Sequence, residues 1–129
     1  MNMSDLFKNV KQKVYHLNGV EASDIVNAEE RLGTRFDEEY RNYLMQYGVV
    51  SFGSHELLGL GGDSYLDVVE ETLRERTAAR FPKNCYLIEN LGIDGILILQ
   101  DTQGSVYELS DAGNRKIAGS FGEYIEQIG

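Results

Sequence analysis

The chain has one cysteine, one proline and no tryptophan in 129 residues. A lone Cys85 excludes an internal disulfide, and a reducing compartment suits it. Nothing nearby lowers its pKa, so it reads as a small buried hydrophobe beside Tyr86 and Leu87 rather than a nucleophile. With Pro82 the single proline and no Ser- or Gly-rich tract longer than a loop, no linker divides the chain. No stretch approaches the ~18 apolar residues of a membrane helix. The start, MNMSDLFKNV, has no basic segment followed by an apolar run, so it does not read as a secretory signal. The 14 glycines follow no strict period and no long heptad run occurs, which excludes collagen and coiled-coil arrays.

Positive charge is also scarce. Twelve lysines and arginines face 21 aspartates and glutamates, a net charge of −9. Such a chain is repelled by phosphate backbones and by anionic lipid, so neither nucleic acid nor a membrane is expected as a direct partner. A basic protein would be attracted and steered toward it. The charge is uneven: residues 1–36 are neutral, 37–72 carry −7, 73–83 carry +3 and 84–129 carry −5. General solubility does not require acidity concentrated in the middle third.

The remaining composition is that of one globular domain spanning 1–129, with 42% hydrophobic and 26% charged residues. Its first half reads as helices. Leu6, Val10 and Val14, spaced by four, predict an amphipathic helix. Ser23 is the expected N-cap of a second, with Ile25, Ala28 and Leu32 on its apolar face and Gly33 as its stop. Asp37 caps a third, whose face is Tyr40, Tyr43, Leu44 and Tyr47 and whose end is Gly48. Val49 to Gly62 reads as one or two short strands with a turn at Gly53–Ser54. Asp63 or Ser64 then caps a helix from Tyr65 to about Ala79, which Pro82 prevents from continuing. The second half reads as a meander: strands at Cys85–Glu89, Ile96–Gln100, Ser105–Leu109 and near Lys116–Ala118. Ile96–Gln100 is apolar throughout and therefore central. Ser120, with Glu123 three residues on, predicts a capping box for a closing helix. The expected class is α+β: a curved antiparallel sheet with flanking helices, N-terminal helices first and a C-terminal helix to close.

Catalytic motifs are wanting. His55-Glu56 begins like a zinc-protease signature, but position 59 is Gly where the second histidine belongs. Gly59-Leu60-Gly61-Gly62 precedes a helix, but position 64 is Ser, no lysine follows, and Asp63, Asp67, Glu70 and Glu71 would repel phosphate. No G-x-S-x-G elbow occurs. No catalytic residue, metal ligand or cofactor is therefore assigned. The informative local feature is acidic. On a helix from Tyr65, the residues Asp67, Glu70 and Glu71 fall at i, i+3 and i+4, opposite Val68, Val69 and Leu73. Glu56 and Asp63 extend the patch upstream. The candidate partner-binding residues are thus Glu56, Asp63, Tyr65, Asp67, Glu70 and Glu71; the alternative is a merely solvated helix face.

The run Ala28-Glu29-x-x-Leu32-Gly33-x-x-Phe36-Asp37-x-x-Tyr40-x-x-Tyr43-Leu44, ending in Gly48, resembles the opening of the SUKH superfamily, the Smi/Knr-like group. Tyr65-Leu66-Asp67-Val68, Tyr86-Leu87-Ile88-Glu89 with Gly92 and Asp94-Gly95, and Asp101-x-x-Gly104-x-Val106-Tyr107 match its later pieces. The resemblance covers roughly residues 20–128. It implies a curved sheet with helices around it and no catalysis. It further implies a cytoplasmic immunity protein that binds a cognate bacterial polymorphic toxin, often a nuclease, and is monomeric until then. The alternative it carries is a regulatory interaction module like the fungal cell-wall assembly regulator; a small enzyme is the remaining one. A nuclease site that holds phosphates is basic, and an acidic inhibitor suits it.

From the charge balance, the protein is expected to bind no free RNA or DNA at physiological salt. A gel shift at micromolar protein would reveal the contrary.

Overall fold

The computed structural model describes residues 6–129; residues 1–5, the front of the 1–129 domain assignment, lie outside the described residues. In chain order the elements are β1 (Val14–His16), α1 (Ala22–Leu32), α2 (Glu38–Gln46), β2 (Val50–Phe52) and β3 (His55–Leu57). A 3-10 turn over Ser64–Leu66 leads to α3 (Val68–Glu75), β4 (Cys85–Asn90), β5 (Leu97–Asp101), β6 (Val106–Ser110), β7 (Gly113–Ala118) and α4 (Phe121–Ile128). All pairing within the two sheets, β1-β2-β3 and β4-β5-β6-β7, is antiparallel. The fold is α+β, a single small domain, as the sequence pattern requires.

The meander forms where its apolar runs and turns place it. Leu97, Ile98 and Leu99 of β5 are buried as the central strand. The β4–β5 turn uses Asp94 and Gly95 at φ 51° and 66°, which a short polar side chain and a glycine tolerate. In β4 the register slips between Leu87 and Glu89. That bulge leaves the Ile88 carbonyl free to accept the Leu58 N–H just beyond β3, at 2.9 Å. One hydrogen bond thus stitches the two sheets together along β3 and β4.

Helix α2 packs under this seam. Tyr40, Tyr43 and Leu44 are fully buried, as the helical spacing predicts. The Tyr40 hydroxyl donates to the Leu58 carbonyl at 2.8 Å, and the Tyr43 hydroxyl reaches the Leu57 and Leu58 carbonyls at 3.2 Å each. Desolvation holds both phenols well above their ordinary pKa, so they remain neutral donors. Asp37 caps α2 through the Glu39 N–H, and Ser120 caps α4 through the Glu123 N–H, both as expected. The Glu123 carboxylate accepts from Gly119 instead of closing a strict box on Ser120. Cys85 is buried, and burial pushes its thiol up to about 11, so little thiolate exists at neutral pH.

Three expectations are corrected. Leu6, Val10 and Val14 do not form a helix: Leu6 and Phe7 lie buried in a turn, and Val14 opens β1 opposite Phe52. A two-turn segment is too short to stand as a helix on its own. Strand pairing, with Phe7 packed edge-on against Tyr47 and Phe52, takes it instead. The N-cap of α1 is Glu21, not Ser23; its backbone N–H donates to Asp24 at 3.0 Å. The helix read from Tyr65 to Ala79 is shorter at both ends. A parallel bridge between Gly59 and Asp67 holds Asp67 extended, so neither Asp63 nor Ser64 caps α3. Asp67 caps it, accepting from Val69 at 2.8 Å and Glu70 at 3.0 Å.

Gly59 also lies against the backbone of Gly48, whose carbonyl accepts the Leu60 N–H at 3.0 Å. A Cβ on Gly59 would stand 1.6 Å from the Gly48 carbonyl oxygen, whereas one on Gly33, at φ 66°, meets nothing within 4 Å. Gly59→Ala is expected to cost about 3 kcal/mol or more, and Gly33→Ala about 1 kcal/mol. Urea unfolding midpoints at unchanged m-value measure the contrast.

Candidate partner-binding surface

The three-stranded sheet has one face on the core and one outward. Its register aligns Tyr15, Ser51 and Glu56 across β1, β2 and β3, so these three share the outward face. Two grooves lie on that side, between the strands and the loop that runs from Gly59 to Asp67. The larger, about 500 Å³, is bounded by Tyr15, Leu17, Ser51, Asp63 and Leu66. The smaller, about 200 Å³, is bounded by Glu56, Tyr65, Leu66, Glu71 and Asn90. Leu66 is the ridge between them.

Four of the six candidate residues therefore meet here: Glu56, Tyr65 and Glu71 on the smaller groove and Asp63 on the larger. Glu56, Asp63 and Tyr65 are exposed. Neither the Glu56 nor the Asp63 carboxylate has an ion-pair partner among the described residues. The other two, Asp67 and Glu70, serve the fold. Asp67 is occupied as the cap of α3. Glu70 accepts from Arg31 at 2.6 Å, tying α3 to α1.

The expectation that Asp67, Glu70 and Glu71 share one helix face is corrected. Asp67 lies outside the helix, and Val68, Val69 and Thr72 turn inward, the Thr72 hydroxyl accepting the Leu87 N–H at 2.9 Å. Glu71, three residues after Val68, is carried to the edge of that buried face, while Leu73, expected to be buried, is 38% exposed. Desolvation raises the Glu71 pKa, and its partner Arg74 partly offsets this. The basic stretch is likewise engaged. Arg76 donates to the Leu32 carbonyl that ends α1, and Arg80 lies 3.7 Å from Asp111.

Two features escaped the sequence reading. Tyr15 and Leu17 join the face because β1 is a strand; the four-residue spacing of Val10 and Val14 masked the alternation of Tyr15 and Leu17. The second is a buried carboxylate, Glu89, 2% exposed inside the apolar strand β4. His55 Nδ1 meets one of its oxygens at 2.8 Å, and the Tyr124 hydroxyl donates to the other. A carboxylate within Tyr86-Leu87-Ile88-Glu89 was the available signal, since buried charge demands partners. His55 thus serves an acid 34 residues downstream, locking β3 to β4 and α4. Among the described residues no group of three or more His, Cys, Asp or Glu is placed to hold a metal. No described helix is long and apolar enough to cross a membrane.

Each partner of Glu89 satisfies a carboxyl oxygen that burial removes from water. Tyr124→Phe and His55→Ala are each expected to cost about 1–3 kcal/mol, with a double mutant departing from additivity by about 0.5 kcal/mol or more. Urea titration of the four proteins measures this coupling.

The whole arrangement, including every residue of the grooved face, falls within a single family match. The family described as SMI1-KNR4 cell-wall, SUKH_5, matches residues 3–128. No curated protein matches the chain. With nearly its full length inside that match, the chain belongs to the SMI1-KNR4 family of the SUKH group.

Proposed function

We propose that this protein is an immunity-type member of its family: a non-enzymatic, cytoplasmic inhibitor that binds a cognate toxin and covers its active site. The observation that carries the reading is the pair of carboxylates without an ion-pair partner among the described residues, Glu56 on the outward sheet face and Asp63 on the adjoining loop, beside the exposed rings of Tyr15 and Tyr65. Residues 37–72 add a field of −7 that would steer a basic protein toward this side. A nuclease domain fits such a partner, because the cleft that holds phosphates is basic. Inhibition would be occlusion: carboxylates facing the cleft where phosphates would sit, with tyrosines as the buried anchors. Each charge pair closed from water contributes about 1.5 kcal/mol or more. The protein would act as a monomer that binds one toxin domain, needing no cofactor.

A second reading is a regulatory interaction module without a toxin. The cell-wall wording of the matched family favours it. The same face would serve, but the partner would be a resident protein.

Co-expression with any toxin encoded beside this gene separates the two: rescue of growth supports the first reading, and failure to rescue removes it. For the site, Glu56→Lys with Asp63→Lys is expected to slow association and weaken binding by at least a hundredfold, more at low salt than at high. Reversal of Glu30 and Glu126, exposed acids on α1 and α4, should matter less than fivefold. Association kinetics at two salt concentrations, with circular dichroism as the folding control, provide the readout.

A further inference from the structure

The grooved face holds a feature that acidity alone does not explain. On a sheet edge, residues that point to solvent are expected to be polar or charged. Here β1 and the residue after it present Tyr15 and Leu17, 60% and 40% exposed, and Tyr65 across the Leu66 ridge is 58% exposed. The Lys13 ammonium sits 5.2 Å from the centre of the Tyr15 ring. Lys13 has no carboxylate in ion-pair range among the described residues. The chain's own cation therefore rests on the aromatic face, attracted by the ring quadrupole. Beyond it lie the open groove floored by Ser51 and the unpaired Asp63 and Glu56.

We propose that the two grooves together take an extended segment of the partner bearing two arginines or lysines, one of which displaces Lys13 from the Tyr15 ring on the larger groove while the other meets Glu56 on the smaller. The inference rests on the reading of a basic partner and gives its docking mode. The distances suit it. Tyr15 and Glu56 stand two strands apart, roughly 10 Å. Alternate residues of an extended chain lie about 6.7 Å apart on one side, and long cationic side chains span the remainder. Asp63 flanks the path and adds attraction without a fixed contact. Tyr65 and Leu66 supply apolar surface for the aliphatic stems, as long cationic side chains require. Arginine is favoured over lysine, because its planar group stacks on the ring and forks onto the carboxylate together.

The test needs no toxin. The ¹⁵N-labelled protein is titrated with acetyl-Gly-Arg-Gly-Arg-Gly-amide, and separately with the same peptide carrying citrulline at both arginines. Saturable amide shifts at Tyr15, Ser51, Glu56 and Asp63 are expected with the arginine peptide, at a dissociation constant of about 1 mM, and at least fivefold weaker with citrulline. Tyr15→Phe keeps the ring face and should bind within twofold of the parent. Tyr15→Leu, made in a Lys13→Ala background where no cation occupies the ring, keeps bulk without the face and should bind about fivefold more weakly than Lys13→Ala alone, the loss of about 1 kcal/mol of cation–π attraction. Lys13→Ala removes the competing cation and should bind more tightly, and circular dichroism checks each fold. Non-saturating shifts, shifts confined to acids on α1 and α3, equal binding of the citrulline peptide, or a Lys13→Ala/Tyr15→Leu protein that binds like Lys13→Ala would each overturn the proposal. None of those results touches the co-expression outcome, and failed toxin rescue with intact peptide binding would remove the toxin while leaving the groove assigned.

Discussion

The Leu58 backbone is the joint on which the structure turns. Its carbonyl accepts from the hydroxyls of Tyr40 and Tyr43, and its N–H donates to Ile88 at the bulge of β4. Both groups are buried with the residue, which is 3% exposed, so each would cost on the order of 1–3 kcal/mol if left unmade. The Tyr43 oxygen also accepts the Val50 N–H at 3.2 Å. One helix side chain thus satisfies donors and acceptors on both strands of the β2–β3 hairpin. Because β3 is pinned two residues beyond Glu56, the position of that carboxylate follows from the core and not from the surface.

Seen from this joint, the acidity of the middle third divides by task. Asp37 and Asp67 cap helices, Glu39 accepts the Gly122 N–H at the start of α4, and Glu70 and Glu71 are paired with Arg31 and Arg74. What remains beside the grooves without an ion-pair partner among the described residues is Glu56 and Asp63. A net charge summed along the chain overstates the acid available for binding, since five of these carboxylates are committed to the fold. The field of the segment is still negative, and long-range steering depends on that sum. The close contacts depend on the two free groups.

The sequence was most legible where a local rule and the tertiary structure agree. The four-residue spacing of Tyr40 and Leu44, with Tyr43 beside them, Asp37 as a cap and the apolar run Leu97–Leu99 each state their role within a few residues. It misled where a long-range contact overrides the local one. Val10 and Val14 have helical spacing, yet the partner that decides Val14 is Phe52, almost forty positions away. Asp67 reads as an acid in the first turn of a helix until Gly59 is placed beside it, and with that bridge α3 starts only at Val68. Of the candidate residues, the exposure of Glu56, Asp63 and Tyr65 was readable, because Glu56 alternates outward from Leu57 in β3 and the other two lie on a loop and a turn. Tyr15 was not, because its face exists only once β1 has paired with β2.

The same pairing bears on how the face would bind. Tyr15 and Glu56 project from strands hydrogen-bonded in register, and the Tyr65 turn is closed at both ends, by Gly59 accepting from Val68 and donating to Leu66. Little backbone freedom remains to be lost when a partner arrives, so the ordering cost of docking falls mainly on side chains. Tyrosine limits that cost further, with two rotatable bonds for a large contact area. Lys13 is the exception, a long side chain lying on the ring that must leave. Its departure exchanges one cation for another on Tyr15, so the ring contributes through the difference between the partner's cation and its own. The gain in affinity must then come from the unpaired carboxylates beside it, which is why the aromatic and acidic halves of the face are useful only together.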